Sequence, residues 1–486
     1  NPAVADEGDY MLCHYESDGE TMPSVEEIYS GRCNLLAIIS GDGEKAGGII
    51  HHANIDDIGP IQAAGSAGRR VWGRGACGSK GQIALLLAQM KLMREIKEHF
   101  SSAATLNQIY AFVIDGHCGG AGSMSLALDS RFCGLPVFMH KCTDLAPCSG
   151  RAGKLRYQCR LSVGDNKDAD AVELFPFVVQ ELEAECRKLG EENEHPMFSG
   201  DHVRSAHRIS DAGVSRSDLA GDHLAIEITA RAKAHHERVA MKLIELLDEA
   251  VADYADIYGD ATGAEDAEGR ARLKRHFDLK VTPTAQTQNF HLDIYGLPGR
   301  LNGTDKYDSV VIKAAYLLGG LLRMAPYFPG IQAQARFAGQ AGDGGVLVLE
   351  GIQTFTPTHT LEQVKNRMAE AAGRGMQLLC HLRGRQYDPS MVEMTFGDAR
   401  EPACPDVAGN PLMQALDQAF SELGEPKPRL RAWTIGCEAG IYQHKGYPVA
   451  VFGAGRKTGT CADDEQIDIA DLQKALAIST LATLKM

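Results

Sequence analysis

Residues 109–120 read Ile-Tyr-Ala-Phe-Val-Ile-Asp-Gly-His-Cys-Gly-Gly and pass from a β-rich apolar run into a polar, glycine-rich turn. Such a run is typical of a strand that is buried on both faces. A helical pattern follows the turn, so the stretch has the order strand, loop, helix. Repeated units of this kind build a mostly parallel sheet with helices on both faces.

The same pattern continues on either side. Leu35–Ser40, Gly48–Ala53 and Val137–His140 are predicted strands. Gly81–Phe100 is a predicted helix because its apolar side chains recur at helical spacing. These side chains are Ile83, Leu86, Leu87, Met90, Met93 and Ile96. The sequence therefore predicts the α/β class with a mostly parallel sheet flanked by helices.

Composition excludes several classes of function. The chain has 486 residues, enough for roughly two to four domains. Its 49 basic and 64 acidic residues give a formal net charge of −15, which argues against a nucleic-acid partner. No run approaches the roughly 18 apolar residues of a membrane span, and no export signal is visible at the first residues. The 13 cysteines contain no CxxC pair and indicate free thiols in a reducing cytoplasm.

The middle of the chain has a different pattern. Ala169–Glu194 and Asp222–Gly259 are predicted long helices. After them, strands and helices alternate in the order of a small ferredoxin-like α+β domain. The expected division is an α/β catalytic-like domain in residues 1–165, a helical insertion in 166–285, the inserted α+β domain in 286–397 and the rest of the catalytic-like domain in 398–486.

Several motifs then occur in one order along the chain. They are His51-His52-Ala53-Asn54-Ile55, Gly73-Arg74-Gly75-Ala76-Cys77-Gly78-Ser79-Lys80-Gly81, Asp115–Gly120, Gly436-Cys437-Glu438-Ala439, and Gly453-Ala454-Gly455 before Asp464-Glu465. Together they resemble the zinc exopeptidase and deacylase family that includes acetylornithine deacetylase, succinyl-diaminopimelate desuccinylase, carboxypeptidase G and the aminoacylases. The resemblance covers about residues 30–160 and 290–486. It implies a metal-bearing catalytic domain that is split in sequence, with an inserted lid that usually dimerises.

The resemblance also implies a pair of zinc ions, and this chain departs from the family at the residues that would hold them. The family's His-x-Asp motif is here His52-Ala53-Asn54. The aspartate that bridges both ions falls on Gly78, and the glutamate that acts as general base falls on Gly116. Without a bridging carboxylate the repulsion between two divalent ions is uncompensated, and without the glutamate a zinc-bound water lacks its base. We therefore expect no two-zinc hydrolysis.

The other family ligand positions carry reactive side chains of a different kind. The two remaining acidic ligands fall on His117 and Lys141, and a one-residue slip would place His140 instead of Lys141. The last ligand, a histidine in the family, is Cys461. Of five ligand positions only His52 is kept.

Three interpretations of the site remain open. In the first, the pocket needs no cofactor: Lys141 replaces the metal charge, and Cys461 is a nucleophile with His117 as its base. In the second, one zinc ion is held by His52, His117 and Cys461, with His140 as a further candidate. In the third, the site is inactive and the protein binds a ligand or a partner.

Three further residues are candidates for binding substrate. Arg300 falls where the family's lid carries a histidine that reaches across the dimer, and it could clamp a carboxylate or cap a loop. Asn54 stands where the resemblance implies the aspartate of the His-x-Asp motif, and Glu438 matches the acidic residue below the metal site, where it is a candidate partner of Lys141.

The main functional hypothesis is an enzyme acting on an amide, acyl or amidine group of a small amino-acid-like molecule. The chain is expected to be a cytoplasmic homodimer without nucleic-acid or membrane partners. The rival hypothesis is a non-catalytic protein that uses the helices of 166–285 for assembly.

Overall fold

The computed structural model of the chain describes residues 29–41, 47–56, 64–100, 106–116, 120–162, 171–209, 223–231, 236–263, 273–283, 288–297, 308–324, 332–337, 346–404, 407–433, 437–455 and 465–486. Its strands are β1 (Leu35–Ile39), β2 (Gly48–Asn54), β3 (Gly65–Ala67), β4 (Arg70–Trp72), β5 (Asn107–Val113), β6 (Val137–His140), β7 (Cys148–Arg151), β8 (Gly153–Ser162), β9 (Ser205–Ile209), β10 (His223–Arg231), β11 (Phe277–Pro283), β12 (Gln288–Tyr295), β13 (Gln332–Phe337), β14 (Val346–Phe355), β15 (Val392–Arg400), β16 (Arg431–Trp433), β17 (Val449–Phe452) and β18 (Gln466–Asp468). Its α-helices are α1 (Lys80–His99), α2 (Ala121–Ala127), α3 (Phe175–Glu191), α4 (His236–Tyr258), α5 (Val310–Met324), α6 (Leu361–Leu382), α7 (Pro411–Glu422), α8 (Ala439–His444) and α9 (Ile469–Leu484).

A seven-stranded sheet in the order β1-β5-β2-β6-β17-β7-β16 forms the main domain. The pairs β5–β2, β2–β6 and β6–β17 are parallel, and β1 pairs antiparallel with β5 at one edge. One face packs its apolar side chains against α1, α7 and α9, and the other against α2 and α8. The predicted α/β class is confirmed, because the two-sided burial of β2, β5 and β6 needs helices on both faces.

The lid is a four-stranded antiparallel sheet in the order β15-β8-β14-β9, with α3 connecting β8 to β9 and α6 connecting β14 to β15. This is the strand order of a ferredoxin-like unit. The lid therefore begins at Gly153, well before the predicted boundary at residue 286, because β8 and β9 lie in its sheet.

A second α+β unit lies within the first, between β9 and β14. Its elements follow the same order (β10, α4, β11, β12, α5, β13), and its sheet has the order β11-β12-β10-β13. In both sheets the fourth strand of the unit lies beside the first, then the third, then the second. We call this the nested unit. The elements predicted as one domain in 286–397 thus divide between two sheets, since β12, α5 and β13 lie in the nested unit and β14, α6 and β15 in the lid.

The segment 166–285 contains the predicted helices α3 and α4 and also the strands β9, β10 and β11, which the sequence analysis did not anticipate. The predicted helix Asp222–Gly259 is divided into β10 and α4. Leu224 and Ile228 are four residues apart and fit a helical stripe, but Ile226 is buried with them on the period of two that marks a strand. Short apolar patterns of this kind fit both structures.

The lid and the nested unit share one apolar core and a buried polar network. The carboxylate of Glu183 on α3 accepts hydrogen bonds from the Ser205 hydroxyl and the Tyr258 hydroxyl, the latter at 2.9 Å, and lies 2.7 Å from His207 Nε2. Arg187 Nη1 donates to the same Tyr258 hydroxyl at 2.9 Å. Because Tyr258 ends α4, this network fixes the nested unit on the lid.

None of the helices within the described part of the chain has the length and apolar character that a membrane crossing requires.

Removing the Tyr258 hydroxyl tests the network. In Tyr258→Phe the buried Glu183 carboxylate loses a donor, so we expect the free energy of unfolding to fall by about 1–3 kcal/mol in chemical denaturation. Tyr387→Phe is the matched control, because the Tyr387 hydroxyl makes no hydrogen bond within the described residues. Equal stability of the two variants would contradict the role given to the network.

Candidate functional site

The candidate site lies where the parallel strands of the main sheet end. Asn54 is the last residue of β2, Gly116 follows β5, and Lys141 follows β6. Glu438 comes directly before α8, which packs on the same face of the sheet as α2. The carboxyl ends of neighbouring parallel strands meet at one edge, and this brings residues from distant parts of the sequence together.

A buried ion pair occupies the centre of the site. Lys141 Nζ lies 3.1 Å from Glu438 Oε2, and the Asn54 side-chain amide donates a hydrogen bond to Glu438 Oε1. The three side chains are nearly inaccessible to solvent, at 9%, 4% and 3% exposure for Lys141, Glu438 and Asn54. The pairing of Lys141 with Glu438 that the sequence suggested is confirmed.

Both members of the pair keep their charge at neutral pH. Burial disfavours the Glu438 carboxylate, but the Lys141 charge and the Asn54 hydrogen bond outweigh it, and the pKa of Glu438 is lowered to about 2. Burial also disfavours the Lys141 ammonium, yet the Glu438 charge raises the pKa of Lys141 above its ordinary value. Attraction inside a site with little water therefore exceeds the cost of burying the two charges.

Gly116 leaves no room for a side chain. A Cβ atom placed on it would lie 1.2 Å from Asn54 Nδ2 and 2.5 Å from Glu438 Oε1. The amide of Asn54 thus fills the place from which the family's general base would project. A glutamate at this position requires Asn54 to move away from Glu438.

His52 lies beside the ion pair on the same face of the sheet. Its Nε2 is 3.0 Å from the Ser123 hydroxyl on α2, and the Tyr442 ring of α8 meets it edge-on at 5.7 Å between ring centroids. Burial, only partly opposed by the Glu438 charge, lowers the pKa of His52 to about 4. The imidazole is therefore neutral at pH 7 and adds no second positive charge to that of Lys141.

His140 lies on the opposite face of the sheet. Its ring stacks on Phe138 at 4.8 Å and lies 5.8 Å from the ring of His51, which stacks on Tyr110 at 4.9 Å. Burial holds the pKa of His140 well below its ordinary value. Successive side chains of a strand point to opposite faces, and His52 is in register with Met139, so His52 and His140 are not brought together. The structure places Lys141, and not His140, beside Glu438.

Three of the predicted site residues lie outside the described residues. These are His117, Arg300 and Cys461. Among the predicted site residues that the structure describes, Asn54, Lys141, Glu438 and His52 converge, and His140 does not.

Sequence reasoning missed Ser123 and Arg32. Ser123 is completely buried against His52, and Arg32 Nη2 lies 2.5 Å from the buried carboxylate of Asp115. Neither belongs to a motif of the family, so only proximity in the fold identifies them.

Among the described residues, the positions that the resemblance assigns to the zinc pair do not fit it. Gly78 and Gly116 carry no side-chain donor atom, and Lys141 is a cation where the resemblance implies a carboxylate ligand. The described residues contain no cluster of three or more His, Cys, Asp or Glu side chains arranged to hold a metal ion.

A double-mutant cycle tests the ion pair. Lys141→Met leaves the Glu438 carboxylate buried without its cation, and Glu438→Gln leaves the Lys141 ammonium buried without its anion. We expect each single variant to lose about 3–5 kcal/mol of unfolding free energy, and the double variant to lose much less than their sum. The same cycle at the exposed pair Lys427–Asp417 is the control and should show little coupling. Additive losses at Lys141 and Glu438 would contradict a buried pair.

The ion pair also predicts how the free energy of unfolding changes at acidic pH. The pKa of Glu438 is lowered to about 2 from 4.5, so its contribution is fully present above about pH 4.5 and is lost as pH falls towards 2. We expect the Lys141→Met/Glu438→Gln variant to lack this component when unfolding is measured between pH 5 and pH 2. An identical pH dependence in the wild type and the variant would show that Glu438 is not paired.

Comparison with known proteins agrees with the motif analysis. The family model described as peptidase family M20/M25/M40 matches residues 53–485. No curated protein sequence matches the chain significantly. Solved structures similar to it include a metallo-carboxypeptidase from Sulfolobus solfataricus (12% identity, 93% of this chain and 87% of that chain, TM-score 0.45). Human carnosine dipeptidase 1 is another (12% identity, 93% and 83% coverage, TM-score 0.42), as is the di-peptidase Dug1p from Saccharomyces cerevisiae (10% identity, 93% and 82% coverage, TM-score 0.46). Since the family model spans well over half of the sequence, this chain belongs to peptidase family M20/M25/M40.

Proposed function

We propose that this chain is a divergent member of its peptidase family that acts on an amide, acyl or amidine group of a small amino-acid-like molecule without a two-zinc centre. The observation that carries the proposal is the contact of Lys141 and Asn54 with Glu438 in the space beside Gly116. A fixed cation stands there where the family places metal charge.

Lys141 supplies the chemistry that a cation can supply. An ammonium has three N–H donors, and the Glu438 carboxylate accepts from one of them. A second donor can bind a substrate carboxylate or stabilise an oxyanion that develops on a carbonyl. The neutral His52 imidazole beside it adds a hydrogen-bonding group without repelling the ammonium.

The remaining roles belong to residues outside the described part of the chain. In this proposal Cys461 is the nucleophile, His117 its base, and Arg300 the group that holds a substrate carboxylate. The location is cytoplasmic, and the assembly is a homodimer.

A non-catalytic binding role is the second candidate, and a specific observation favours it. Glu438 already neutralises the Lys141 ammonium, so the pair carries no net charge with which to stabilise an oxyanion in a reaction. The site would then hold a ligand without reacting with it. A single zinc ion held by His52, His117 and Cys461 is the third possibility, and it would make activity sensitive to chelators.

Turnover in the presence of a chelator distinguishes these candidates. The purified protein is incubated with N-acyl amino acids, dipeptides and amidines, with and without a strong zinc chelator, and bound zinc is measured by elemental analysis. We expect chelator-resistant turnover, abolished in Cys461→Ser with substrate binding retained, and in Lys141→Met/Glu438→Gln with binding lost. The control variant Lys427→Met should keep full activity.

The other outcomes each favour a rival. Two tightly bound zinc ions per chain would refute the proposal. One zinc ion that Cys461→Ser releases would establish the mononuclear site. Binding without turnover would leave the non-catalytic role.

A further inference from the structure

Two buried cysteines meet behind the candidate site. Cys77 lies in the glycine-rich turn before α1, next to Gly78, and Cys142 follows Lys141 after β6. The two residues are 2% and 3% exposed, belong to the same buried apolar cluster, and lie close enough for their thiols to interact. All the cysteines that the structure describes are free thiols.

The backbone holds the Cys77 thiol firmly in this position. Cys77 N donates to Glu465 Oε2 at 3.1 Å, and Gln82 Nε2 donates to the Cys77 carbonyl at 2.9 Å. Gly455 approaches the sulfur from the other side. A Cβ atom on Gly455 would lie 2.5 Å from Cys77 Sγ, and its φ of +92° is one that glycine adopts most readily.

Cys142 is held by its own neighbour in sequence. Thr143 Oγ1 donates to the carbonyl of Gly453 at 3.2 Å and accepts from its N–H at 3.1 Å, which fixes the chain after β6 to the chain after β17. Cys77 and the residue that follows Cys142 thus both contact the chain after β17, at Gly455 and Gly453 respectively.

We propose that Cys77 and Cys142 form a redox-reactive pair that a small peroxide converts into a disulfide. The inference rests on the position of the two thiols and is independent of the proposed function. Their burial favours a reagent of the size of hydrogen peroxide over a bulky disulfide reagent.

The reaction balances with one peroxide per pair. One cysteine sulfur attacks a peroxide oxygen, the O–O bond breaks, and a sulfenic acid and one water form. The second thiol attacks that sulfur, the S–O bond breaks, and a second water leaves with the thiol proton. Two thiols are oxidised by two electrons, and the peroxide is reduced to two water molecules.

The cross-link would join the two segments that border the site. One segment carries Gly78 and the other carries Lys141, so the disulfide would tie the turn before α1 to the end of β6. It also closes a long loop of the chain, which constrains the unfolded state and raises the melting temperature.

Peptide mapping after peroxide treatment tests the pair. Cleavage after Lys and Arg places Cys77 in Gly75–Lys80 and Cys142 in Cys142–Arg151, which also contains Cys148. The native protein is treated with hydrogen peroxide, blocked at its remaining thiols, digested and analysed by mass spectrometry. We expect these two peptides to be joined and the melting temperature to rise, and we expect dithiothreitol to reverse both effects.

Serine variants assign the bond. Cys148→Ser is the matched control, because Cys148 is also buried in the same apolar cluster, and it should keep both the cross-link and the rise in melting temperature. Cys77→Ser and Cys142→Ser should lose both while unfolding cooperatively. Loss of the cross-link in Cys148→Ser would show that Cys148, and not Cys142, is the residue joined to Cys77, and would contradict the proposal. Oxidation of Cys142 to a sulfinic acid without a cross-link, or preferential reaction with oxidised glutathione over peroxide, would overturn the proposal.

Discussion

The buried contact between Lys141 and Glu438 is the constraint on which the candidate site depends. A carboxylate at 4% exposure cannot keep its charge without a partner, and Lys141 supplies that partner at 3.1 Å. With Glu438 held in this position, the Asn54 amide donates a hydrogen bond to the other carboxylate oxygen of Glu438. The amide therefore occupies the space beside Gly116. The replacements at positions 54, 116 and 141 are therefore one arrangement and not three separate losses. Restoring a single family residue would disturb the others.

The nested unit is the largest structural departure from a two-domain plan. It repeats the strand order of the lid, shares its apolar core and is anchored through Glu183 and Tyr258. Its helix α5 packs on α3 of the lid, where Gln180 donates to the carbonyl of Ala315 at 2.7 Å. A lid helix that would otherwise face outward is covered by the chain itself. Within the described part of the chain, the edges of the two sheets are β15 and β9 in the lid and β11 and β13 in the nested unit.

Sequence reasoning succeeded where a signal is local. The strands β2, β5 and β6 and the helix α1 follow from apolar runs and helical spacing. The pairing of Glu438 with Lys141 was also expected from the sequence, because the resemblance places both residues at the same site. The strand β10 was predicted as helix, because the spacing of Leu224 and Ile228 fits both the helical period and the period of a strand. The two α+β units were predicted as one domain, because the apolar pattern of a strand does not indicate which sheet the strand joins.

The amino-acid sequence by itself determined the α/β class and the family, because these depend on residue type and order alone. It also has glycines, Gly78 and Gly116, where the resemblance implies the bridging carboxylate and the base. Only the tertiary structure decided that Lys141, and not His140, reaches Glu438, and that Asn54 fills the space at Gly116. The reason is physical. The alternation of a strand sends neighbouring side chains to opposite faces, and which face borders the site is set by the helices packed against the sheet.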